Sequence, residues 1–182
     1  LNVARAAAEG LAAIDGKDHT GEMPSAAAAP FPLHMDEIKG LTARQVRLVT
    51  RRGDVIFDLF PGAAPNTVAN FVKLAAGGYF NGLNFHRVVP GFVTQDGDPR
   101  GDGWGGPGYA IRCEYNDLHY ETGTVGMALS GKDTGGSQYF ITHAPQPHLD
   151  GKYTIFGKVT SGMDVIARLA RGAGQRGDDA RC

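Results

Sequence analysis

The pattern along the chain changes character at Gln45. From there Val46, Leu48 and Thr50 alternate with Gln45, Arg47 and Val49, the period of a half-buried strand. Gly53-Asp54 then turns the chain into Val55–Phe60, a hairpin signal ended by Pro61-Gly62. Pro65 suits the first turn of a helix. Val68, Phe71, Val72 and Ala75 recur on one helical face, and Gly77-Gly78 closes it. Two further runs, Phe85–Val89 and Phe92–Gln95, are hinged at Pro90-Gly91, a pair that marks a tight turn. Alternation puts Phe85, Arg87 and Val89 on one face of the first run, and Val93 with Gln95 on one face of the second. A second helix is predicted over Met163–Leu169, with Val165, Ile166 and Leu169 inward. Many short strands with only two helices read as a mainly β closed barrel, although this pattern alone does not choose a barrel over a sandwich.

Upstream the text is different, and it predicts an extension over 1–44 ahead of a folded domain over 45–182. Asn2–Ile14 is Ala-rich, with Val3, Ala6, Ala7, Leu11 and Ile14 at amphipathic helical spacing. It resembles the second helix of a HEAT-type repeat, which implies a preceding helical-repeat region. An isolated docked helix fits equally well. Asp15–Pro32 reads as linker, and Asp36 caps a short helix through Ala43. At the other end, Ala173–Cys182 holds no β-branched or aromatic residue. Any strand there is expected to be short, weakly ordered or displaced.

Composition narrows the function classes. The chain has 182 residues and a net charge of −1, which favours neither nucleic acid nor an anionic membrane surface as partner. No apolar run approaches a membrane span. The 27 glycines suit a loop-rich β protein. Two cysteines, Cys113 and Cys182, make no disulfide framework. Cys113 reads as a small buried apolar residue, and a Cys113–Cys182 bridge stays open. The chain starts at Leu1 without a signal-peptide pattern, which fits a fragment or a processed form, with the cytoplasm the favoured compartment.

Two glycine-rich segments imitate nucleotide sites. Gly101–Gly106 satisfies G-x-G-x-x-G, but Pro107-Gly108 follows where a helix must start. Gly126–Asp133 ends in Asp where a phosphate loop needs Ser or Thr for magnesium. The six histidines show no zinc spacing, and no nucleophile elbow surrounds Ser137. Neither a cofactor nor a metal is expected.

The remaining signal is the stretch FHRVVPGFVTQDGDP, Phe85–Pro99. Arg87 stands among apolar residues, and arginine is seldom buried without a partner. Alone it reads as a structural ion pair or a snorkelling side chain. Two later blocks change that reading. One is Gly126–Ser130 followed by Gly136–Thr142; the other is His148–Val159. Together, in this order and spacing, the motifs resemble those of the cyclophilins, the peptidyl-prolyl cis-trans isomerases, with a bacterial flavour in PHLDGKYT. The resemblance spans roughly Gln45 to Leu169.

That resemblance implies a closed eight-stranded antiparallel barrel capped by two α-helices. It also implies rotation of Xaa-Pro bonds in proline-containing peptides and unfolded segments, in aid of protein folding. The chemistry needs no nucleophile. Amide resonance sets a barrier of about 18–20 kcal/mol. Twisting the bond pyramidalises the prolyl nitrogen and returns its lone pair, so a donor aimed there binds the transition state preferentially. By resemblance Arg87 is that donor, Gln95 orients it, and Phe92, Val93, Phe140 and Leu149 grip the proline ring. Ala128, Leu129 and Ser130 match a substrate-binding segment in which Leu129, Asn in many members, acts through its backbone. Tyr153 replaces a His, and His148 replaces the Trp that contacts cyclosporin in sensitive members. A proline-peptide scaffold with little turnover, or an accessory domain in a longer repeat protein, are the alternative readings.

Overall fold

A computed structural model of the chain describes residues 44–172. The predictions for the helices and linker over 1–43, for the tail over 173–182 and for a bridge to Cys182 lie outside the described residues. Seven antiparallel strands form one curled sheet: β1 Gln45–Thr50, β2 Gly53–Leu59, β3 Arg87–Val89, β4 Val93–Asp96, β5 Thr124–Met127, β6 Tyr139–Thr142 and β7 Ile155–Ser161. Their order is β1-β2-β7-β5-β6-β4-β3. Strand twist curls this order into a half-barrel. The predicted eight-stranded closure is therefore corrected: among the described residues no strand joins the two edges, β1 and β3.

Helix α1, Pro65–Ala76, starts with proline in its first turn, and Ala64 before it makes no side-chain cap. A cap arrives from a distant loop instead. The Glu114 carboxylate accepts the Asn66 and Thr67 backbone N–H groups at 2.9 and 2.7 Å, and the Thr67 hydroxyl at 2.7 Å. This satisfies donors that every helix start leaves open. Phe71 of α1 then stacks on Phe80 at 4.8 Å and meets Phe57, Tyr139 and Phe156 at 5.3–5.7 Å. Helix α2, Met163–Gly172, runs past the predicted Leu169. Its inward residues are the expected Val165, Ile166 and Leu169, all in the main core cluster.

Local chemistry moves three predicted details. The first hairpin turns at Arg51-Arg52, with Thr50 already opposite Gly53. The Thr50 hydroxyl donates to Gly53 O at 2.7 Å and accepts Arg52 N–H at 3.1 Å, closing the turn one step early. Regular strand begins only at Arg87, so Phe85 and Arg87 do not share a face: Phe85 enters the core while Arg87 is exposed. Cys113 is half-buried instead of buried, and its sulfur accepts the Asp133 N–H at 3.1 Å.

Candidate active site

The β3–β4 hairpin builds the site. Val89-Pro90-Gly91-Phe92 is a tight turn, with Phe92 N–H donating to Val89 O at 3.0 Å and Gly91 at φ 76°. A proline followed by a residue at positive φ is the sequence logic of a type II turn. The turn sets the register Arg87 opposite Gln95. Arg87 Nη1 donates to Gln95 Oε1 at 3.3 Å, and its guanidinium carbon lies 5.7 Å from the Phe92 ring centre.

Gln95 does not choose its amide orientation alone. Its Nε2 donates to Gln138 Oε1 at 2.8 Å, and Gln138 Nε2 donates to the carbonyls of Gly103 and Gly105 at 2.9 and 2.8 Å. Two fixed carbonyls therefore orient Gln138, which orients Gln95, which turns its oxygen to Arg87. Gln138 was visible in the sequence as part of Gly136–Thr142, but its role was not. The glycine-rich segment that imitated a dinucleotide site supplies the anchor of this relay.

Beside the arginine lies an apolar floor. Val93 is buried on β4, Phe140 on β6 and Leu149 on the short 3₁₀ turn Pro147–Leu149. Sheet pairing sets Gln95 opposite Phe140. Arg87, Phe92, Val93, Gln95, Ala128, Leu129, Phe140, Leu149 and Tyr153 line one open cleft of about 180 Å³. Of the predicted site residues, Ser130 and His148 fall outside that lining. Ser130 borders a neighbouring recess of about 90 Å³, shared with Gln95, Ala128, Leu129 and Gln138. His148 is exposed and stacks on Phe92, ring centres 5.7 Å apart.

A second layer holds the floor. The Phe140 ring is stacked on Tyr120 at 5.5 Å and met edge-on by Tyr153 at 5.9 Å. Gly126 opposite Phe140 is required there, because a Cβ would overlap Tyr120 Oη and come within 2.7 Å of Phe140 Cζ. Behind β4, the Thr94 hydroxyl lies 2.7 Å from His143 Nε2, and burial holds His143 below the ordinary histidine value. Among the described residues no group of three His, Cys, Asp or Glu is placed to hold a metal ion. No described helix is long and apolar enough to cross a membrane.

A hydrogen-bonded guanidinium thus stands at the rim of an apolar notch. Residues 45–181 match the family model of the cyclophilin type peptidyl-prolyl cis-trans isomerase/CLD. The chain belongs to this family. It is 58% identical over 118 residues to peptidyl-prolyl cis-trans isomerase B of Bacillus subtilis, covering 64% of this chain and 82% of that protein. It is 52% identical over 130 residues to a Synechococcus elongatus peptidyl-prolyl cis-trans isomerase, covering 70% and 90%. A crystal structure of a Cryptosporidium parvum cyclophilin type isomerase superposes with a TM-score of 0.70 at 36% identity, over 76% of this chain and 89% of that one. A second structure of that protein, determined in the presence of the dipeptide Ala-Pro, gives 0.68 at 35% identity, over 74% and 89%.

Proposed function

We infer that the chain rotates Xaa-Pro bonds in flexible or unfolded protein segments and so assists folding, with Arg87 as the catalytic donor. The observation that carries this is the Arg87–Gln95 pair at the rim of the Val93–Phe140–Leu149 floor. The floor takes the pyrrolidine ring, which is apolar on every side but one. Ala128 and Leu129 line the same cleft, with Leu129 the residue whose backbone would meet an extended peptide.

Ground-state prolyl nitrogen is a poor acceptor, because its lone pair is delocalised into the carbonyl. As the bond twists, the lone pair localises and accepts an N–H from Arg87. Gln95 keeps the fork in place while this happens. A guanidinium stays charged at every relevant pH. A charged hydrogen bond of about 1.5–3 kcal/mol gives one to two decades of rate. Holding the ring and the chain on either side supplies a further share through orientation.

The test is a protease-coupled assay on a Xaa-Pro peptide. Catalysis well above the spontaneous rate supports the reading. Peptide binding without turnover would favour a proline-peptide scaffold instead.

A further inference from the structure

Behind the cleft, Tyr120 backs the wall at Phe140, and the neighbouring His119 meets the Asp150 carboxylate next to Leu149. Tyr120 is 1% exposed and its ring backs Phe140. Its backbone is fastened to the loop that carries Leu149. One oxygen of the Asp150 carboxylate accepts the Tyr120 N–H at 2.8 Å, and the other meets His119 Nδ1 at 2.8 Å. On the far side of the 3₁₀ turn, Gln146 N–H donates to Tyr120 O at 2.7 Å. Tyr120 Oη finds no partner among the described residues, so its ring stack and these backbone bonds hold it in place. Leu149 lies between the two anchors, Gln146 and Asp150. A single carboxylate thus ties the floor at Phe140 to the wall at Leu149.

We propose that Asp150 and His119 are positioning residues for prolyl-peptide binding, and that protonation of His119 tightens the proline pocket. The proposal rests on the isomerase reading above. Asp150, Glu121 and Asp117 act on His119, and His148 acts on the same Asp150 carboxylate. The three acids hold the His119 imidazolium above the ordinary histidine value, the Asp150 hydrogen bond contributing most. Asp150 is held below the usual carboxylate range, first by the Tyr120 N–H and then by His119, with a smaller attraction from His148.

The signs fix a window. A histidine raised by its partner gives its full contribution below the free value of about 6.5 and loses it as pH rises through the bound value. Asp150, being depressed, stays ionised throughout that range and weakens only as pH falls into acid. The strut is strongest when His119 is charged and weakens on the alkaline side, where the His119–Asp150 bond loses its charge assistance. His143, held low by burial, titrates at the opposite end.

The experiment measures kcat and KM of the full chain on a blocked prolyl peptide without titratable groups, from about pH 5.5 to 9, spanning the histidine range. The peptide Kd is followed in parallel by NMR titration. KM and Kd should both rise about twofold to fivefold across the His119 titration, the size expected of one exposed ion pair, while kcat stays flat. His119→Gln should remove the step and sit at the weak-binding value. His119→Lys, a permanent cation, should sit at the tight-binding value at every pH. Asp150→Asn should lose the step, and His148→Gln should keep it. A flat wild-type profile, or a step that survives in His119→Gln, overturns the proposal. If turnover is absent but Kd keeps the step, the isomerase reading falls and the strut stands. If no peptide binds at any pH, both fall.

Discussion

Replacing Gln138 with Leu tests whether the amide relay sets the catalytic arginine. Three hydrogen bonds of 2.8–2.9 Å disappear: one from Gln95, two to the carbonyls of Gly103 and Gly105. At about 0.5–1.5 kcal/mol each, and with Gln95, Gln138 and Gly103 half-buried so that water replaces part of the loss, the fold should weaken by about 1–2 kcal/mol. The larger consequence falls on Gln95. Freed from Gln138, its amide can turn over and present Nε2 to the Arg87 fork, which repels it. The Arg87–Gln95 bond is already long at 3.3 Å, so little else holds the fork in register. Losing one hydrogen bond made in the transition state corresponds to about 1.4 kcal/mol, or tenfold in rate. We expect kcat to fall about tenfold with KM little changed, because the apolar floor is untouched. Protease-coupled kinetics on a prolyl peptide give both constants, and a thermal melt shows that the variant is folded. Wild-type kcat in a folded Gln138→Leu protein would refute the relay.

Glu114→Ala should lower stability by about 1–3 kcal/mol by stripping the remote cap from α1, seen as a reduced Tm, with kcat unchanged because Glu114 lies outside the cleft. His148→Trp should raise cyclosporin affinity. The smaller imidazole covers less area and must divide its ring nitrogens between donor and acceptor, a loss worth about 2–4 kcal/mol, so the unmutated chain should resist the drug, and nanomolar inhibition of it would contradict this. His143, kept neutral by burial, contributes stability that is full above about pH 6.5 and declines as pH falls toward its depressed value. His143→Gln should flatten that acid-side decline in denaturant titrations, and an unchanged slope would assign it to other groups.

Much of this architecture was legible in the residues. The Pro-Gly pair located the β3–β4 turn; that Gln95 serves Arg87 came from the family resemblance, and the register that sets them opposite each other came from the fold. The Val165, Ile166 and Leu169 face needed only helical spacing. What stayed hidden depends on partners distant in sequence. Nothing near Pro65 announces that Glu114, on a loop far downstream, will cap α1. Gln138 could not be read as a relay until Gly103 and Gly105 were folded against it. The Arg51-Arg52 turn was misplaced because glycine at 53 is the stronger local signal, yet the Thr50 hydroxyl closes the chain first. The barrel was expected closed because many short strands with two helices read that way, and the family resemblance implied eight strands closing it. The seven described strands curl without meeting.

The central claim is that Arg87 stabilises the twisted amide from the rim of an apolar notch. It is tested most directly by comparing kcat/KM of wild type, Arg87→Ala and Arg87→Lys on one prolyl peptide, with near-ultraviolet circular dichroism to confirm the fold. Losing a charged hydrogen bond of about 1.5–3 kcal/mol predicts a fall of at least tenfold for Arg87→Ala. Arg87→Lys should also be impaired, since a point charge lacks the planar fork that Gln95 holds. A folded Arg87→Ala protein that turns over prolyl peptides like wild type would contradict the account.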